Sequence, residues 1–74
     1  MRLRELETVV LQRDLPEHGL KKGDLGTVVM LQKSGAVEVE FLRANGHTQA
    51  VVGLGTGDVR KASDRDVIAA RPNE

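Results

Sequence analysis

The chain has no cysteine, no tryptophan and no tyrosine, and Phe41 is its single aromatic residue. Each gap closes off a class of function. Without a thiol there is neither a disulfide to staple a small fold nor a thiolate to bind metal or attack a substrate. Without exposed rings there is no platform for single-stranded bases, methyl-lysine or polyproline. An excess of charge of one sign is also missing, since eleven Lys and Arg balance eleven Asp and Glu. A protein that grips a phosphate backbone usually carries a basic surface. No apolar run approaches the roughly 18 residues of a membrane span. The opening MRLRELE alternates charge with leucine and lacks the apolar core of a signal peptide. The expectation is a soluble cytoplasmic protein without membrane contact. Seventy-four residues make one domain, near the lower limit of what folds unstapled.

What is present reads as β-structure. Residues 1–7 form a charged lead-in, and Thr8 to Arg13 is rich in β-branched residues, which favour a pleated strand. Alternation places Val9 and Leu11 on the core face, with Val10 half covered on the other. Asp14 to Asp24, DLPEHGLKKGD, interrupts the pattern with Pro16, Gly19 and Gly23. Leu15 and Leu20 recur inside this polar stretch and predict a loop that folds back on two apolar anchors, leaving Pro16, Glu17, His18, Lys21 and Lys22 in water. Leu25 to Lys33 is the second strand; its four consecutive apolar residues, Val28 to Leu31, imply either burial on both faces or a bulge near Gly26. Ala36 to Leu42 alternates cleanly, with Val37, Val39 and Phe41 inward and Glu38 and Glu40 outward. Asn45-Gly46 signals a hairpin turn into a fourth strand, His47 to Val52. A 3₁₀ turn with Asp58 near its start, Val59 in the core and a short fifth strand at Arg60 to Ala62 follow. In the tail, residues 63–74, the cluster Val67-Ile68-Ala69-Ala70 reads as an extra edge strand on its β-branched pair; a short helix capped by Ser63 or Asp64 is the alternative.

Chemistry is sparse. GLGTG at 53–57 lacks the following helix and the Lys-Ser/Thr pair of a phosphate-binding loop. His18 and His47 sit on separate loops without carboxylates at ligand spacing, so they read as solvated side chains and not as a metal site. Glu38 and Glu40 share a strand face with no implied cleft; outward glutamates ordinarily keep a strand soluble. No nucleophile–base pairing is recognisable. The sequence therefore predicts no catalysis, cofactor, metal or small-molecule substrate. Arg13, Lys21, Lys22, Arg43, Arg60 and Arg65 would have to converge to make a basic patch, and dispersed solvated charges are the simpler reading. The expected function is a non-enzymatic interaction module that binds a partner protein or a second copy of itself. The expected contact residues are Glu17, His18, Lys21 and Lys22 on the long loop and Val67 and Ile68 in the tail.

The run VVLQRDLPEHGLKKGDLGTVV, followed by VEVEF and an Asn-Gly turn, resembles a bacterial family of small proteins designated domain of unknown function 4926. The likeness covers roughly Glu7 to Lys61. It implies an SH3-like barrel of five strands with a long first loop and a 3₁₀ turn before the fifth strand. It carries over no activity and no catalytic residues. It further implies a member of a small bacterial gene pair, as an antitoxin or immunity protein. The Gly-Asp-x-Gly-Thr-Val-Val stretch before Val-Glu-Val-Glu-Phe also looks like the KOW motif of ribosomal and transcription-factor barrels. The same stretch looks like the barrels of the photosystem I accessory subunit and of nitrile hydratase β-subunits. A nucleic-acid-binding barrel and an accessory subunit that stabilises an enzyme are accordingly the alternatives to a protein-interaction module. Fold likeness alone does not transfer function.

Overall fold

A computed structural model describes residues 3–43 and 45–69. Five antiparallel strands form one sheet: β1 (Thr8–Leu11), β2 (Leu25–Leu31), β3 (Val37–Leu42), β4 (Thr48–Leu54) and β5 (Val59–Lys61). Their order across the sheet is β4-β3-β2-β1-β5. One 3₁₀ turn, Pro16–His18, lies in the long first loop, and a second, Thr56–Asp58, joins β4 to β5. The expected architecture of five strands, long loop and 3₁₀ turn before the fifth strand is present.

The sheet is open, and its connectivity requires it to be curled. β4 and β5 are opposite edges, and no ladder joins them among the described residues. In a flat sheet four strand spacings would separate those edges by about 19 Å. Residues 55–58 must cover the gap, yet three of them are wound into a 3₁₀ turn, which rises only about 2 Å per residue. The two edges must therefore approach each other at that end, and the concave side encloses the core.

Alternation fills that concave side. Val9 and Leu11 on β1, Val28 on β2, Val37, Val39 and Phe41 on β3, Val52 and Leu54 on β4 and Val59 on β5 are all buried. Val10, on the opposite face of β1, is buried as well. Leu15 and Leu20 reach the core from the long loop, and Leu3 from the lead-in. Phe41 is the largest buried side chain, and Gly26 on β2 makes room for it. A Cβ at Gly26 would stand 2.5 Å from Cγ1 of Val39 and 2.8 Å from Cε1 of Phe41.

Three sequence expectations are refined. The apolar run on β2 is resolved by a bulge, but one between Val28 and Met30, beyond Gly26. A bulge places two residues opposite one and turns side chains out of the regular alternation. Val28 stays in the core while Val29, Met30 and Leu31 are exposed. β4 runs through Gly53 to Leu54, two residues past its expected end, and Asp58 closes its 3₁₀ turn instead of starting it.

The tail is corrected. The extra C-terminal edge strand is not formed; residues Asp64–Ala69 are an α-helix, α1. Strand propensity at Val67 and Ile68 loses to polar anchoring one turn earlier. The Asp66 carboxylate accepts the Ser63 backbone N–H at 2.8 Å and the Ser63 hydroxyl at 2.9 Å. Arg60 on β5 then donates to both Asp66 oxygens, at 2.7 and 2.6 Å. An N-cap serine with an acidic residue three positions on is a helix-start arrangement. A bidentate guanidinium fixes its orientation against the sheet.

Candidate functional site

Two surfaces merit consideration: the long first loop, and the β4 edge with the convex face beside it.

The loop is held as a unit by its own polar groups. Leu15 and Leu20 exchange backbone hydrogen bonds, with the Leu15 N–H donating at 2.9 Å and the Leu20 N–H at 3.1 Å. Between them Pro16 starts the 3₁₀ turn with its fixed φ. Gly19 ends it at φ +69°, a left-handed geometry that glycine adopts without a Cβ clash. The Asp14 carboxylate accepts the Lys22 N–H at 2.8 Å, and the fully buried Asp24 carboxylate accepts the Lys21 N–H at 2.9 Å. A side chain from across the fold completes the arrangement. Nε2 of Gln49 on β4 donates to the carbonyls of His18 and Gly19, each at 3.1 Å.

Glu17, His18, Lys21 and Lys22 all lie on this loop and are exposed. The structure thus brings four of the six expected contact residues together. Val67 and Ile68 lie on α1 beyond β5, and their side chains fall outside the described residues. Among the described residues no group of three or more His, Cys, Asp or Glu side chains is assembled that could hold a metal ion.

Two of the six basic residues that would have to converge, Arg13 and Arg60, are engaged by carboxylates. Nε of Arg13 pairs with Asp58 at 2.9 Å, Arg60 with Asp66 at 2.6 Å, and Nζ of Lys61 with Glu7 at 3.4 Å. The carboxyl of Asp66 is held well below the usual carboxylate range. The Arg60 guanidinium is the main cause, and hydrogen bonds from Ser63 add to it.

The sheet edges differ sharply. β5 is three residues long, carries Arg60 and Lys61, and is followed by α1. Short length and charge are two devices by which strand edges avoid stray pairing. β4 is longer and carries no charge, and the long first loop meets it at Gln49. It pairs only with β3 among the described residues, and its seven residues, TQAVVGL, include no charge and no proline. The uncharged run extends from Thr48 through Gly57.

Register continues this surface onto the convex face. Val51 lies opposite Glu40, which lies opposite Thr27; Gly53 lies opposite Glu38, which lies opposite Met30. Val51 is 51% exposed and Met30 50%. Val51, Met30 and Val29 were missed in the sequence reading. Two signals pointed to them: the charge-free run after His47, and the surplus of apolar residues on β2 beyond what one face of a strand buries.

No helix among the described residues is long and apolar enough to cross a membrane. A family sequence model described as domain of unknown function (DUF4926) matches residues 5–61, which takes in all five strands and the long loop and ends before α1. No curated protein and no solved structure matches the chain.

Proposed function

The chain belongs to the DUF4926 family, and because that description names no activity we propose from the surface itself that it is a non-enzymatic protein-interaction module. The observation that carries this reading is the uncharged edge of β4, seven residues long and without a second strand partner among the described residues, with Val51 exposed on it. An edge of this kind accepts another extended backbone: main-chain hydrogen bonds supply affinity and alternate side chains supply selectivity. Glu17, His18, Lys21 and Lys22 add a charged rim. Their loop is tethered to the same strand through Gln49, so a partner at the edge reaches both.

Protein is favoured over nucleic acid for two reasons. Phe41, the only Phe, Tyr or Trp residue, is fully buried, which leaves none of the rings on which bases most commonly stack. Arg13 and Arg60 are engaged by Asp58 and Asp66, which leaves fewer free cations for phosphate. A toxin or effector encoded alongside is the partner that the family resemblance implies. The test is affinity capture from a lysate of the native host, with wild-type chain and Val51→Lys as parallel baits. The reading expects a protein retained by wild type, lost with Val51→Lys and indifferent to nuclease. Retention of nucleic acid alone, falling steeply with salt, would contradict it. A Lys21→Glu/Lys22→Glu bait tests the rim, and reduced retention is expected.

A further inference from the structure

We propose that the β4 edge is occupied by the β4 of a second copy, giving a two-fold symmetric dimer with one continuous ten-stranded sheet. This rests on the interaction reading and names the occupant of that surface. An antiparallel edge is its own complement, because a two-fold rotation sets each outward N–H opposite an outward carbonyl of the same strand. With the axis at Val51, that residue meets its own counterpart, and Gly53 lies opposite Gln49 of the other copy. A β-branched pair directly opposed across strands is favourable. At Gly53 a side chain would meet nothing within 4 Å, so the approach there is open.

Charge permits the pairing. The chain's net charge is zero, so two copies carry no overall repulsion. The nearest acidic residues on the convex face, Glu38 and Glu40, lie on β3, one strand in from the edge. Across the axis the two copies of Glu40 would be three strand spacings apart, about 14 Å. That exceeds the screening length of about 8 Å at physiological ionic strength.

The asymmetry of the sheet sets the size of the assembly. The two edges are unlike: β4 is long and uncharged, whereas β5 is short, carries Arg60 and Lys61 and leads into α1. Pairing through β4 consumes the long edge and leaves two blunted ones. Growth therefore stops at the dimer and does not continue into a filament.

Sedimentation equilibrium of the purified chain, from low to high micromolar concentration, tests this. Wild type is expected to reach twice the monomer mass. Val51→Lys and, separately, Gly53→Lys are expected to remain monomeric with wild-type circular dichroism. Both positions are exposed, and the second variant keeps the test decisive should the first fold poorly. Met30→Lys, two strands away on the convex face, is expected to dimerise like wild type. A wild-type chain that stays monomeric at high micromolar concentration overturns the dimer; in that event capture of a different protein, sensitive to Val51→Lys, would leave the interaction reading standing. Dissociation by Met30→Lys but not by the edge variants overturns the edge geometry. Species growing beyond the dimer overturn the argument from the blunted β5 edge.

Discussion

Replacing Gly26 with alanine adds one methyl group where the sheet has no room for it. The new Cβ would sit 2.5 Å from Cγ1 of Val39 and 2.8 and 3.0 Å from Cε1 and Cδ1 of Phe41. Carbon atoms in contact prefer about 3.5–4.0 Å. Val39 and Phe41 are both fully buried, so neither can swing into solvent, and the strain must be taken up by β2, β3 or both. Overpacking of this kind costs about 1–3 kcal/mol. A 74-residue domain has a total stability of roughly 4–11 kcal/mol, so the loss is a large share. The midpoint of thermal unfolding should fall by roughly 5–20 °C. The chain has no Trp or Tyr to report by fluorescence, so far-ultraviolet circular dichroism during heating and urea titration is the assay. Gly53→Ala is the internal control. It makes the same chemical change on β4 with nothing within 4 Å of the new carbon, and should leave stability unchanged or raise it by about 0.5 kcal/mol. Adding Val39→Ala to Gly26→Ala should show favourable coupling, because the truncated valine vacates the space the methyl group needs. If Gly26→Ala unfolds within about 0.5 kcal/mol of wild type, the packing of β2 against β3 described above is wrong.

Three further outcomes follow from the same geometry. Leu6 is 79% exposed with φ at +69°, a conformation costly to a side chain and open to glycine, so Leu6→Gly should stabilise by about 0.5–1 kcal/mol in urea titration; destabilisation would show that the leucine side chain holds the turn. Gln49→Ala removes both hydrogen bonds to the His18 and Gly19 carbonyls and should lower stability by about 1 kcal/mol, with faster amide exchange at His18 and Gly19; unchanged exchange would mean the loop does not depend on β4. Asp66 is a group whose pKa is lowered on folding, so the stabilisation it gives α1 is complete above its ordinary value of 3.8 and is lost as pH falls below that value. Helix chemical shifts of residues 64–69 should collapse in that acid range, and Asp66→Asn should show the loosened state already at neutral pH; a helix equally firm in both would exclude the Arg60 and Ser63 anchor.

Local pattern made much of this fold readable. The alternation of β3, with Val37, Val39 and Phe41 in the core, is imposed by the strand's period of two and needs no knowledge of neighbours. Leu15 and Leu20 could be placed inside because apolar residues recurring in a polar loop require cover, and both are buried. Features decided by distant residues were harder to see. The bulge on β2 arises from its register with β3, which strand propensity does not encode. α1 depends on Arg60, six residues before Asp66 and in a different element, whereas Val67-Ile68 taken alone favours a strand. Leu3 packs into the core from a lead-in whose charges disguise it. For the candidate site, the exposed loop residues were legible from their polarity. The β4 edge was not, because a strand becomes an edge only through the order of the whole sheet.

Amide hydrogen exchange along Thr48–Leu54, measured at low and at high protein concentration, tests the claim that β4 is the working surface most directly. Alternate β4 amides, those directed away from β3, are expected to gain protection as concentration rises, while Val59–Lys61 on the opposite edge does not change. Exchange along β4 that is independent of concentration, or protection that grows at β5 instead, would contradict it.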